Sequence, residues 1–311
     1  MWTSLTRASR PLVVTGLIML AALLAFSVGL LVDPTVISGA PAWLKPAKFA
    51  TSIAIYCLTL AWIFTWLPDR VRLRRYVGWA TAIALIVEMV IIGLQAWRGT
   101  TSHFNIATPL DGALFQIMGA VIVAQTITTI SVAVALWRQP FADRALGWAL
   151  RLGMTITIIG AFSGGLMARP TAGQRQTLAT SGSAAVIGAH TVGAPDGGPG
   201  LPGTGWSTTH GDLRIAHFTG LHAIQVLPLV ALGLRRRGWS ERVRQRLTMT
   251  AAASYTGLFL LLLSQALRGQ SVLAPDGVTL ALLASWAVLS AIFMRWSVGE
   301  RSLVHHHAAA V

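Results

Sequence analysis

The sequence predicts an all-α integral membrane protein of eight transmembrane helices, arranged as two parallel four-helix repeats with both termini cytoplasmic. Three observations carry this reading: a lipid-compatible composition, basic residues that alternate between sides, and ordered internal matches between the two halves.

Apolar residues make up 54% of the 311, charged residues only 11%, and the mean hydropathy is +0.64. A water-soluble chain of this length needs far less apolar surface. Crossing hydrocarbon takes about 20 apolar residues per helix. Stretches of that kind lie near 11–32, 49–67, 77–97, 112–137, 151–168, 216–234, 248–267 and 278–294. They are much longer than the roughly 10-residue alternating strands of a membrane barrel. Arg7 and Arg10 ahead of the first stretch, and Ser38-Gly39-Ala40 after it, look like a cleavable leader. The recurrence of this stretch in the second half argues that it stays as a helix.

A net charge of +14 suggests nucleic acid until the bases are sorted by position. Of the 24 Lys and Arg, 17 fall on one side, in segments such as Arg70–Arg75, Arg138–Arg151 and Arg235–Arg246. The other side holds 7: Lys45, Lys48, Arg98, Arg169, Arg175, Arg214 and Arg268. The positive-inside rule makes the richer side cytoplasmic, which predicts a multi-pass plasma (inner) membrane protein. Its partner is the lipid bilayer, with no nucleic acid. Cys57 is the only cysteine, which excludes a disulfide framework and a thiolate metal cluster. His305–His307 follows the last stretch and reads as a solvated tail.

The duplication rests on four matches in order. Ala25–Thr35 recurs as Ala161–Thr171, Leu44–Phe49 as Leu213–Phe218, Gln95–Gly99 as Gln265–Gly269, and Asp111-Gly112 as Asp276-Gly277. These divide the chain into a first unit, 1–140, and a second, 141–311. The numbering offset grows from 136 to 169 between the first two matches, so the second unit carries 33 extra residues. This outer-loop insertion, at about 169–212, is rich in Gly and Pro and reads as an irregular lid or mobile loop.

Places where the repeat fails are the best pointers to function. His103, His190, His210, His217 and His222 all fall on the outer side, each where the halves differ. His217 stands in the place of Lys48 and His222 in that of Ile53, while Glu88, mid-way along the third stretch, replaces the frame residue Leu258. An ionisable group at that depth is costly and usually faces the bundle interior. Glu88 and His222 are therefore the candidate catalytic pair. Imidazoles and a carboxylate among His103, His210, Asp212, His217 and His222 are candidate ligands for a divalent metal such as zinc, or for haem b. Arg98, Arg214, Arg268, Lys48, Gln95, Gln225 and Gln265 form a polar belt suited to a small anionic or lipid-like ligand.

The two-unit layout resembles haem A synthase, which is also built of two parallel four-helix halves with the N-terminus inside. That family's haem-ligating histidines lie in even-numbered helices of both halves. Stretches two, four and eight here contain none, so no residue carries over. The sequence thus points to a membrane-embedded metal- or haem-dependent enzyme or redox protein. A proton-coupled transporter or small-molecule binding protein, with its site between the repeats, is the alternative, and a structural subunit of a membrane complex is a third.

Overall fold

The computed structural model describes residues 2–299, so Arg301 and His305–His307 lie outside the described residues. Among the described residues eleven α-helices account for most of the length: α1 (Trp2–Ala8), α2 (Arg10–Val32), α3 (Leu44–Phe64), α4 (Val71–Trp97), α5 (Pro109–Arg138), α6 (Arg144–Ser163), α7 (Ala172–Ser181), α8 (Leu213–Leu221), α9 (Ala223–Arg235), α10 (Glu241–Leu267) and α11 (Gly277–Gly299). Two small antiparallel strand pairs sit in the loops, β1 (Val36–Ile37) with β2 (Ala40–Pro41), and β3 (Thr191–Val192) with β4 (Gly211–Asp212).

Seven helices, α2 to α6, α10 and α11, are each long and apolar enough to cross a membrane. The protein is a polytopic helical membrane protein. An eighth crossing exists only as α8 and α9 together, bent by 48° at their junction. The expectation of a straight sixth helix is thus corrected: His222 stands at a break and not within a helix.

The break has a definite hydrogen-bond account. Ile224 N would ordinarily donate to Gly220 O, four residues back, but it donates to Thr157 Oγ1 of α6 at 3.1 Å. The same hydroxyl donates to Leu221 O at 3.1 Å, the carbonyl that Gln225 N leaves by bonding to His222 O. Pro228, lacking an amide hydrogen, removes a further rung. One side chain from a neighbouring helix therefore satisfies two of the backbone groups that the bend frees, Leu221 O and Ile224 N.

α6 receives the bent pair on a face of small residues. A Cβ on Gly160 would lie 2.5 Å from the backbone of Gly220, and one on Gly153 would lie 3.0 Å from Ala223 O. Close backbone approach through small residues is a general device of membrane helix packing. α4 and α6 are the most enclosed spans, each 56% buried, whereas α11 is only 6% buried and lies at the periphery.

Contacts between loops define two ends of the bundle. At one, Arg244 of α10 pairs with Asp143, ahead of α6, at 3.1 Å, and Ser9 packs on Gly78 of α4. This is the arginine-rich end. At the other, which we call the cap end, the long segment between α6 and α8 spreads over the bundle. It is more ordered than its composition suggests. α7 is started by a reciprocal capping box between Thr171 and Gln174, and ended by Gly182 at φ +71°.

Two segments, after α4 and after α10, close this end in the same manner. Gln95 donates to Thr101 O (3.4 Å) and Gln265 to Ser271 O (2.9 Å). Gly99 and Gly269 take φ values of +69° and +72°, and Arg98–Asp111 (2.6 Å) and Arg268–Asp276 (2.8 Å) are paired.

Candidate functional site

α4 carries Glu88 nine residues before its end at Trp97, roughly 13 Å into the bundle at ~1.5 Å per residue. The side chain is 3% exposed. Lys45, in the first turn of α3, approaches from one neighbouring segment, and His103, in the loop between α4 and α5, from another. The loop is fixed by Phe104, whose φ of +66° is unusual for a residue with a side chain. Phe104 is held there by ring contacts to Phe115 and His190, and its carbonyl accepts from Ile187 N at 2.9 Å. Ile106 N in turn donates to Ala185 O at 2.9 Å. The loop between α4 and α5 and the segment between α7 and β3 are thus zipped together by backbone hydrogen bonds on either side of Asn105.

His103 is engaged on both ring nitrogens. Nδ1 lies 2.9 Å from Lys45 Nζ and 3.1 Å from Ser102 Oγ, and Nε2 lies 3.5 Å from Glu88 Oε1. An ammonium donating to Nδ1 leaves the ring hydrogen on Nε2, facing the carboxylate. The result is a line of three ionisable groups, Lys45, His103 and Glu88, in which the first contact is a hydrogen bond and the second, at 3.5 Å, is a close approach. Glu88 Oε2 is buried and has no hydrogen-bond partner.

Burial, then the adjoining Lys45 charge, with smaller contributions from His190 and His217, holds His103 well below the usual imidazole range. His190 is also lowered, by burial first, although its Asp196 partner (2.7 Å) works against this. For Asp196, burial alone would raise the carboxyl, but bonds and charge from His190 outweigh it and hold the group below its usual range.

Two cations, from α3 and α8, fasten the cap. Lys48 of α3 donates to Thr204 O at 2.5 Å, and Arg214 of α8 donates to the adjacent carbonyl, Gly205 O, at 2.6 Å. Asp212 orients Arg214 through both carboxylate oxygens, at 2.9 and 2.6 Å, and also accepts from Ser207 N.

Of the residues singled out in the sequence, Glu88 and His103 meet, and Lys48, Arg214 and Asp212 lie at the cap beside them. The others are placed elsewhere. His217 bonds Gly160 O through Nδ1 at 2.8 Å, with its ring over Gly164. His222 faces Gln225 (3.3 Å), which reaches Thr59 of α3 (3.4 Å). His210 bonds its neighbour Thr209. Arg98 and Gln95 are engaged by Asp111, and Arg268 by Asp276.

Among the described residues no three His, Cys, Asp or Glu side chains are grouped to hold a metal ion. The zinc set expected from His103, His210, Asp212, His217 and His222 therefore finds no support. A haem ligated by His103 finds none either: Nδ1 of that ring is bonded to Lys45, and Nε2 faces Glu88 at 3.5 Å. Lys45 is the site residue that the comparison of halves passed over. Its signal was present, a lysine in the first turn of an apolar helix, but its counterpart Arg214 made it look like frame.

No protein-family model matches this chain, and no curated protein or solved structure matches it either.

Proposed function

We propose that this protein is a proton-linked carrier of a small anion, and that Glu88, His103 and Lys45 form the site where proton and solute are exchanged. The observation that carries the reading is the line of three ionisable side chains, from three separate segments, ending at the buried and unpartnered Glu88 Oε2. Ionisable groups inside a membrane bundle mark ion and proton pathways, and a broken helix beside them is a common feature of carriers.

Charge bookkeeping favours an anion. Lys45, Lys48 and Arg214 face Glu88, Asp196 and Asp212, so the cluster is balanced when Glu88 is ionised. Protonating Glu88 leaves one positive charge in excess, and a bound anion restores neutrality. Proton and anion then bind together, as symport requires. In this reading residues 1–140 and 141–311 are duplicated units. The cap end is extracytoplasmic and the arginine-rich end cytoplasmic in a plasma (inner) membrane.

The test is uptake of radiolabelled succinate or inorganic phosphate into proteoliposomes under a pH gradient. Wild-type uptake should grow with the proton gradient and vanish in Glu88→Gln while the melting temperature is kept. Equal uptake in the variant would remove Glu88, and no gradient-dependent uptake of such anions by the wild type would sink the carrier.

One observation favours a second reading. A carboxylate orienting an imidazole that is also bonded to a lysine is an arrangement suited to general acid–base catalysis. A metal-free membrane enzyme would turn over substrate without any gradient, which separates it from the carrier.

A further inference from the structure

Among the described residues, the buried side-chain polar atoms without a hydrogen-bond partner are Ser9 Oγ, Trp66 Nε1, Arg74 Nε, Thr81 Oγ1 and Glu88 Oε2. Four of these fall on one line. Arg74, Thr81 and Glu88 all belong to α4 and follow one another at intervals of seven, close to two full turns, so they share a face. Ser9 joins them from the start of α2: a Cβ on Gly78 would sit 2.5 Å from its hydroxyl, which places Ser9 Oγ between the levels of Arg74 and Thr81. The line rises ~21 Å, about two-thirds of a hydrocarbon core of ~30 Å.

Buried hydroxyls and carboxylates are as a rule bonded, and where the protein offers no partner an ordered water does. Thr81 is fully buried, and the side chains around it on α4, Val77, Leu85 and Met89, are apolar. Four orphaned atoms scattered at random would need four unrelated explanations, whereas a single file of water explains all of them.

We infer that a chain of bound water runs along this face of α4 from Arg74 to Glu88, and that it carries protons between the arginine-rich end and the carboxylate. Ser9 and Thr81 anchor the intermediate waters through their hydroxyls. Arg74 keeps its own proton and anchors the first water at the mouth. The ionisable groups facing Glu88 from its surroundings are Lys45 of α3 and His103 of the loop, both on the cap side of the carboxylate. The path thus gives Glu88 a second proton contact, opposite to the relay. This rests on the reading of Glu88 as the proton-exchange group, and it assigns the side from which that group is served.

The experiment follows the Glu88 carboxyl itself, as the infrared band that Glu88→Gln removes, in liposomes with the arginine-rich end outward. An acid jump in the outer buffer should protonate wild-type Glu88 promptly. Thr81→Val, which keeps the shape and deletes the hydroxyl, should slow this about tenfold or more. Thr81→Ser should restore it. An unchanged rate in Thr81→Val with intact melting, a response only to acid on the cap side, or no Glu88 band at any pH would each overturn the inference. The assay needs no transported solute, so it reads the path even if no anion is carried.

Discussion

His103 sits between a cation and a carboxylate, and its desolvation has a consequence for the whole molecule. In an unfolded chain the ring titrates near pH 6.5, while in the folded protein burial and Lys45 hold it well below that. Between the two values the unfolded state binds more protons, so stability rises with pH. The contribution is complete above about pH 6.5 and is lost as pH falls towards the folded value. His190 acts in the same direction, since burial outweighs its Asp196 partner. We expect the melting temperature in detergent to fall on acidification through this window, and the slope to be shallower in His103→Gln. Parallel wild-type and variant curves would show that folding does not shift His103. At this scale the sequence was partly legible. Glu88 and His103 stood out because each breaks the repeat, whereas Lys45 was hidden because its counterpart is also a cation. Their meeting depends on a left-handed Phe104 and a strand-like pairing between distant loops, which residue types alone do not encode.

Helix positions follow from hydropathy, with some starts, such as those of α6 and α10, seven residues earlier than the apolar stretches suggest, but the bend between α8 and α9 was not legible. Its cause is Thr157, a side chain on another helix, and the run from Leu213 to Arg235 reads as one apolar span. Deleting that hydroxyl in Thr157→Val orphans Leu221 O and Ile224 N, and should cost about 1–3 kcal/mol in chemical unfolding, with Thr157→Ser close to wild type. Gly160→Ala would drive a methyl against Gly220 and should cost a similar ~1–3 kcal/mol. Full stability in either variant would mean that the two helices separate without penalty. α7 shows the reverse case: the Thr171-x-x-Gln174 start and Gly182 stop were readable, but surrounding Gly and Pro drew attention to irregularity. The cap beyond it is pinned by Lys48 and Arg214. Lys48→Met should therefore speed amide exchange over residues 197–205 while leaving α4 protected, and unchanged exchange would show that the cap is held by its own backbone.

The whole molecule is two end surfaces joined by an apolar bundle, and its orientation sets the meaning of every site. Both ends carry charge, but of different kinds. At the cap end the guanidinium groups of Arg98, Arg214 and Arg268 are each paired with a carboxylate, Asp111, Asp212 and Asp276. The arginine-rich end has clusters such as Arg70–Arg75 and Arg235–Arg237, with few acids to neutralise them. An excess of unneutralised cations resists translocation and meets anionic lipid favourably on the cytoplasmic face. Cysteine scanning can check this directly, because the native Cys57 is fully buried in α3 and will stay silent. Gly198 in the cap is exposed, with nothing within 4 Å of a side chain added there, and Arg237 in the turn after α9 is exposed as well. In intact cells a membrane-impermeant maleimide should label Gly198→Cys and spare Arg237→Cys, which should react only after permeabilisation. The opposite pattern would place the Glu88–His103–Lys45 line towards the cytoplasmic side and overturn the proposed orientation.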